Sequence, residues 1–166
     1  MTMEHWLVAL DPEDGDAALD WAARHAPGRA GLEVIVSELE VSDPRAMVLR
    51  AADRLDGECA DVPRALHVVP QFLPQELARA ASVDLVITGS AGGPLSPQAT
   101  ERLLALLRVC RSPVVVVPRQ LAGDPRAPRD VLWSAPRRRA PRAVVDAVRS
   151  GRETVRVVRS ALPLQP

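Results

Sequence analysis

Short apolar runs that alternate with helical patterns are the feature that most constrains how this chain folds. The runs begin with HWLVAL and cover residues 5–10, 32–39, 64–69, 83–89 and 112–118. Runs of this length, rich in Val, Ile and Leu and bounded by turn residues, are typical of buried strands. Because a helical pattern separates successive runs, the strands are expected to lie parallel and to be joined by right-handed crossovers. We therefore predict an α/β fold with an open parallel sheet of five strands and helices on both faces.

The segments between these strands carry the spacing of amphipathic helices. The predicted helices cover residues 16–26, 45–55, 74–81 and 98–110. In the first of them, Ala18, Trp21, Ala22 and His25 recur at the spacing of one helix face.

Capping and turn residues set the expected helix ends. Ser42 and Asp43 before Pro44 predict the start of the second helix, and Gly57 is expected just past its end. Pro74 is expected to open the third helix.

A second, shorter pattern follows the Pro-rich and charged linker at residues 119–130. It reads as one more strand, helix and strand, at residues 131–135, 140–151 and 154–162. Two strands and one helix are not stable alone, so residues 131–166 should dock on the main domain, residues 1–118, or on a partner chain. In one hypothesis the fifth strand pairs with its counterpart in a second chain, and in the other residues 131–135 cover it.

Charge is segregated along the chain although the formal net charge is +0. Residues 1–118, the main domain, hold 17 acids and 10 arginines, whereas residues 119–166, the C-terminal segment, hold 4 acids and 11 arginines. We interpret this as packing of the basic segment on its own acidic domain or within a dimer. An acidic partner is the alternative.

Several function classes find little support in the sequence. The cysteines, Cys59 and Cys110, have no metal-ligand or CxxC spacing, which is typical of reduced thiols in the cytoplasm. No window approaches the roughly 18 apolar residues of a membrane span, and the N-terminus does not resemble a signal peptide. The histidines, His5, His25 and His67, are scattered, so we expect satisfied or surface side chains and no metal site.

Two further motifs could suggest a hydrolase or a nucleic-acid-binding protein, but their surroundings favour neither. Ser90 follows a strand but lacks the Gly-x-Ser-x-Gly turn and an ordered acid and base, so a hydrolase is not expected. The basic cluster at residues 136–142 has no interleaved aromatic residues for base stacking, so we predict no nucleic-acid partner.

Three motifs, in order and at matching spacing, resemble the universal stress proteins over about residues 4–118. The first is Asp11 followed by ALDWAA at 18–23, the second is DLVITGSAGG at 84–93, and the third is ERLLALLRVCRSPVVVVP at 101–118. The resemblance implies the strand order 3-2-1-4-5, frequent dimerisation through the last strand and, in one branch of the family, ATP binding.

A ligand of such a sheet binds at the carboxyl ends of the strands, where the strand order reverses. Here that position lies between Asp11, after the first strand, and the glycine loop after the fourth, with Gly89, Ser90, Gly92 and Gly93 as candidate binding residues. The acid would bind polar groups of a ribose or base, and backbone N–H groups of the loop would approach phosphates.

The second half of the family's ATP motif, Gly-x2-Gly-x9-Gly-(Ser/Thr), is degraded in this chain. Thr100 and Glu101 occupy the positions of the second glycine and hydroxyl, after seven residues instead of nine. Thr100 adds a Cβ where backbone must approach phosphate, and a like charge such as Glu101 at about 4 Å costs on the order of 1–4 kcal/mol. Pro94 and Pro97 also remove two backbone donors from the loop.

The sequence therefore predicts a non-catalytic, cytoplasmic stress-response or regulatory protein that acts through protein–protein contacts as a homodimer, without a cofactor. An ATP-hydrolysing enzyme is not expected, because the phosphate end shows no general base with a metal-binding hydroxyl. The alternative is an ATP- or AMP-binding sensor that uses the cleft formed by Asp11 and Gly89–Gly92.

Overall fold

Seven strands and three helices make up the regular structure of the part of the chain that the computed structural model describes. That part comprises residues 2–10, 15–39, 41–90, 105–106, 110, 112–118, 129–134, 145–146, 149 and 153–157. The strands are β1 (Glu4–Leu10), β2 (Ala30–Ser37), β3 (Arg64–Val69), β4 (Leu85–Ser90), β5 (Val114–Pro118), β6 (Arg129–Ser134) and β7 (Glu153–Val157). The helices are α1 (Gly15–His25), α2 (Pro44–Cys59) and α3 (Phe72–Ala80).

All seven strands belong to one sheet, in the order β3-β2-β1-β4-β5-β6-β7. The first five strands are parallel, which confirms the predicted α/β fold and the order 3-2-1-4-5. β6 runs antiparallel to β5, and β7 runs parallel to β6. In this chain β6 therefore covers the outer edge of β5, as in the intramolecular hypothesis, while the domain boundaries stay a prediction.

Apolar side chains cover both faces of the sheet at its first five strands, β1 to β5. On one face Trp6 and Trp21, with ring centroids 6.0 Å apart, pack with Leu55 of α2. On the other face Phe72 of α3 packs over Ile35 and neighbouring residues of β1, β4 and β5. Burial on both faces explains why β5 and the first half of β4 consist of apolar residues.

Two helix boundaries differ from the sequence prediction. α2 continues past Gly57 to Cys59 because the Cys59 side chain, 7% exposed, extends the buried stripe of the helix. Gly57 lacks the positive φ that is typical of a glycine ending a helix, so it continues α2. α3 begins at the fully buried Phe72 instead of Pro74, and a proline in the first turn is tolerated because its position needs no intrahelical N–H donor.

Two predicted helices fall largely outside the described residues. Residues 105–106, within the predicted helix 98–110, are helical, as are residues 145–146 and 149 within the predicted helix 140–151.

The predicted start of α2 carries a side-chain cap. The Asp43 carboxylate accepts a hydrogen bond of 3.0 Å from the Ala46 N–H, and Pro44 is the first helical residue. We expect Asp43→Ala to lower the free energy of unfolding by about 1 kcal/mol in urea titrations. Asp43→Asn should retain most of the stability, and Ser42→Ala, at the preceding exposed position, should change it little. Equal losses for Asp43→Ala and Ser42→Ala would contradict the cap.

Candidate functional site

The reversal of strand order lies at β1, which pairs with β2 on one side and with β4 on the other. Ala9 near the end of β1 lies opposite Thr88 of β4 and Ile35 of β2. From β1 the chain proceeds to one side of the sheet through β2 and β3, and later to the other through β4 and β5. The carboxyl ends of β1 and β4 therefore flank the crevice in which parallel α/β sheets bind ligands.

The candidate binding residues are only partly within the described structure. Gly89 and Ser90 are the last two residues of β4, opposite the end of β5. Asp11, Gly92 and Gly93 lie outside the described residues, although Asp11 directly follows the last residue of β1. The structure thus brings the ends of β1 and β4 together, and the binding role of these five residues stays a prediction.

Two buried hydroxyls near this crevice were not singled out by the sequence motifs. Thr88 is 2% exposed, and its Oγ1 lies 3.4 Å from its acceptor, the Gly89 carbonyl oxygen, which is a long hydrogen bond. Ser37, the last residue of β2, is fully buried, and its Oγ has no hydrogen-bond partner among the described atoms. The sequence signal was a single hydroxyl at the end of an apolar strand, which is too common to mark a site.

The strand alternation places both hydroxyls on the α3 side of the sheet. Ile35 and Val86, two residues before Ser37 and Thr88, belong to the core cluster on that side. A buried hydroxyl without a partner costs about 1–3 kcal/mol, so a polar group that reached Ser37 would be stabilised there.

Charged side chains described near the carboxyl edge are mostly acidic. Asp16 lies in the first turn of α1, Glu38 follows β2, and Asp43 caps α2. Arg45, in the first turn of α2, is the basic residue described at this edge. This balance is unfavourable for a triphosphate, which binds where cations or backbone donors converge.

Several arginines of the described structure are paired with carboxylates in other places. Arg29 Nη2 lies 2.6 Å from Asp146 Oδ2, and Arg54 Nε lies 2.5 Å from Asp20 Oδ1. Further pairs join Arg64 to Asp56 and Arg79 to Glu33. None of these four guanidinium groups is therefore free to neutralise phosphate charge at the carboxyl edge.

Glu33 of β2 holds a cluster of cationic and titratable groups that the sequence did not reveal. Its carboxylate lies 3.1 Å from His5 Nε2 and 3.6 Å from His67 Nε2, and the Arg79 guanidinium contacts it. The members come from three strands and from the end of α3, so no local motif announces them. Because α3 ends at the amino edge of the sheet, this cluster is separate from the candidate crevice.

The remaining histidine and the cysteines lie in packed surroundings. His25 Nδ1 lies 2.8 Å from the Trp21 carbonyl oxygen, and its ring stacks on Trp21 with centroids 4.3 Å apart. Cys59 and Cys110 are free and buried, and burial raises the pKa of both thiols above the ordinary value for cysteine. Within the described residues, no group of three or more His, Cys, Asp or Glu side chains is arranged to hold a metal ion. The same part of the chain contains no helix of the length and apolarity that crossing a membrane requires.

Comparisons with known proteins found similarity only among solved structures. No protein-family model matches the chain, and no curated protein matches it. A structure described as a universal stress protein in complex with cAMP is similar with 19% identity and a TM-score of 0.48, over 72% of this chain and 100% of that one. An imine reductase from Pseudomonas sp. is similar with 12% identity and a TM-score of 0.36, over 90% of this chain and 50% of that one.

Proposed function

We propose that this chain is a regulatory protein of the universal stress protein type, which acts through protein contacts and performs no chemistry. The three sequence motifs and the sheet order 3-2-1-4-5 support the type. In this proposal the nucleotide site is degraded, no cofactor is needed, and the protein works in the cytoplasm as a homodimer.

The balance of charge at the carboxyl edge is the observation that supports a degraded site. The charged side chains described there are acidic apart from Arg45, and Arg29, Arg54, Arg64 and Arg79 are paired with carboxylates in other places. Glu101 and two prolines in the glycine loop act in the same direction. A nucleotide triphosphate would therefore meet repulsion that few donors offset.

Calorimetric titration of the full chain with ATP and with AMP tests this function. We expect no binding heat at millimolar nucleotide, because even a dissociation constant of about 1 mM requires roughly 4 kcal/mol of favourable binding energy. Binding tighter than that would contradict the degraded site and favour the alternative.

The alternative is an ATP- or AMP-binding sensor, and the buried hydroxyls favour it. Ser37 and Thr88 offer hydrogen-bonding groups beside the crevice, and Ser37 has no described partner. If nucleotide binds, Asp11→Ala and Gly92→Val should abolish the heat, because they remove the acid and block the approach of backbone to phosphate. Asp61→Ala, which removes an exposed acid from the turn after α2, is the matched control and should leave binding unchanged.

A further inference from the structure

The C-terminal segment covers the outer edge of β5 through antiparallel pairing with β6. Val114 lies opposite Ser134, and Val116 lies opposite Leu132. The valines of β5, residues 114–117, are 0–3% exposed. Without β6 they would form an apolar strand at a sheet edge with unpaired backbone groups, an arrangement that invites pairing with another chain.

A second attachment joins the C-terminal segment to the main domain on the α1 side. Asp146 Oδ2 lies 2.6 Å from Arg29 Nη2, and both side chains are 35% exposed. Ion pairs at such exposure contribute little, so the β5–β6 ladder provides most of the attachment that the described residues show. The β5–β6 ladder and the Arg29–Asp146 ion pair can form with the same geometry within one chain or between two chains.

The connection between β5 and β6 is long enough to reach a second molecule. Residues 119–128 lie between the two strands, and ten residues in extended conformation span up to about 35 Å. Antiparallel neighbours need no crossover helix, so the connection allows β6 to pair with β5 of its own chain or with β5 of a second chain. The chain therefore imposes no topological requirement that the pairing be intramolecular.

Net charge indicates whether the C-terminal segment fits the main domain or the C-terminal segment of a second copy. The C-terminal segment has 11 arginines and 4 acids, and the main domain has 17 acids and 10 arginines. Contact between two C-terminal segments at their outer strands, β7, would bring like charges together. Contact between the segment of one copy and the main domain of another brings opposite charges together.

We propose that two copies of this chain exchange their C-terminal segments, so that β6 of each pairs with β5 of the other. Each main domain then has the same β5–β6 ladder and the same Arg29–Asp146 pair as in the single chain, now formed between chains. Exchange of identical elements is a low-cost route to a two-fold dimer. The proposal rests on the homodimer of the proposed function and specifies its interface.

Concentration governs the balance between the closed single chain and the exchanged dimer. The connection at residues 119–128 also holds β6 near its own β5, at an effective concentration of order millimolar. Exchange therefore increases with protein concentration and with conditions that release the segment transiently, such as mild warming.

Two variants, each with one cysteine added to the buried native Cys59 and Cys110, test for exchange when they are mixed. Val114 and Ser134 are directly opposite, so cysteines at these positions lie within reach of a disulfide. We mix Val114→Cys with Ser134→Cys at high concentration, warm the sample, cool it and oxidise it. Exchange should give a covalent dimer whose disulfide joins residues 114 and 134, identified by peptide mass spectrometry. Neither variant alone should form this disulfide.

The double variant Val114→Cys/Ser134→Cys supplies the matched control. At low concentration it should close within one chain, which shows that the ladder permits the bond. An intrachain disulfide in the double variant, with no interchain disulfide in the mixture, would overturn the exchange. A dimer detected by sedimentation of the mixture that lacks the disulfide between residues 114 and 134 would overturn it as well. Failure of the double variant to close would overturn the ladder and the exchange with it. None of these outcomes depends on nucleotide, so a failed exchange is distinguishable from a failure of the degraded-site proposal.

Discussion

Raising the pH from about 8 to 11 is expected to lower the free energy of unfolding, because two thiols that ionise in the unfolded chain are buried in the native state. Cys59 and Cys110 are 7% and 6% exposed. Burial raises the pKa of both thiols above the ordinary value for cysteine, because an apolar environment disfavours the charged thiolate. In the unfolded chain the same thiols ionise near their ordinary pKa.

The direction of this pH dependence follows from the number of protons that the folded and the unfolded chain bind. Between the unfolded and folded pKa values the native thiols keep their protons, whereas the unfolded thiols lose them. Stability is therefore fully present below the unfolded pKa and falls as the pH rises towards the folded pKa. Each thiol contributes a slope of at most about 1.4 kcal/mol per pH unit, or about 2.7 kcal/mol per pH unit for both, until the native thiols ionise as well.

The composition of this chain makes the alkaline effect unusually clean. The sequence contains no tyrosine and no lysine, and arginine stays protonated beyond about pH 12. Cysteine is therefore the only side-chain type of this chain whose ordinary pKa lies between about 8 and 12.

Urea titrations at several pH values under reducing conditions measure this effect. The wild type should lose stability steadily above pH 9, and Cys59→Ala and Cys110→Ala should each remove part of the slope. The double variant Cys59→Ala/Cys110→Ala should be less stable than the wild type at pH 7.5 but should lose little further stability up to pH 11. A double variant with the wild-type slope would show that the thiols are not the cause.

Apolar strand patterns carried most of the information about the fold. The predicted strands of the main domain agree with β1 to β5 within about two residues at each end, because short Val- and Leu-rich runs have few other uses in a protein of this size. The strand order came from the resemblance to a family, since periodicity alone does not order strands. The end of α2 and the start of α3 were missed because tertiary burial of Cys59 and Phe72 outweighs local glycine and proline signals.

The direction of β6 could not be predicted from its sequence. An apolar run such as VLWSA has the same pattern in either direction, and only its pairing with β5 makes it antiparallel. The Glu33 cluster was out of reach for a similar reason, since it joins His5, His67 and Arg79 from separate elements.

The strand end that borders the candidate crevice was predictable, but the buried hydroxyls beside it were not. The apolar run before Gly89 predicted the end of the fourth strand, and Gly89 lies near the end of β4, next to β5; ligand binding there stays a prediction. Ser37 and Thr88 were missed because one hydroxyl in an apolar strand carries no motif. Only the alternation of side chains across adjacent strands brings the two to the same face.

Ser112 lies where the turn between α3 and β4 meets the start of β5. It is 8% exposed, and its hydroxyl lies 2.7 Å from the Ala80 carbonyl oxygen and 2.6 Å from the Val83 carbonyl oxygen. One hydroxyl proton is thus shared between two acceptors. In the next residue, the Pro113 carbonyl accepts a hydrogen bond of 2.9 Å from the Val86 N–H of β4. Ser112 therefore helps to align β4, which carries Gly89, with β5.

We expect Ser112→Ala to lower the free energy of unfolding by about 1–3 kcal/mol, because it leaves two buried carbonyls without their donor. Ser82→Ala is a matched control in the same turn, since the Ser82 hydroxyl donates to the Arg79 carbonyl oxygen at 3.0 Å but is exposed to water. Water replaces that bond, so Ser82→Ala should change stability by less than about 0.5 kcal/mol. Urea titration of both variants measures the difference, and similar losses for the two would mean that the Ser112 hydroxyl does not bind the α3–β4 turn to β5.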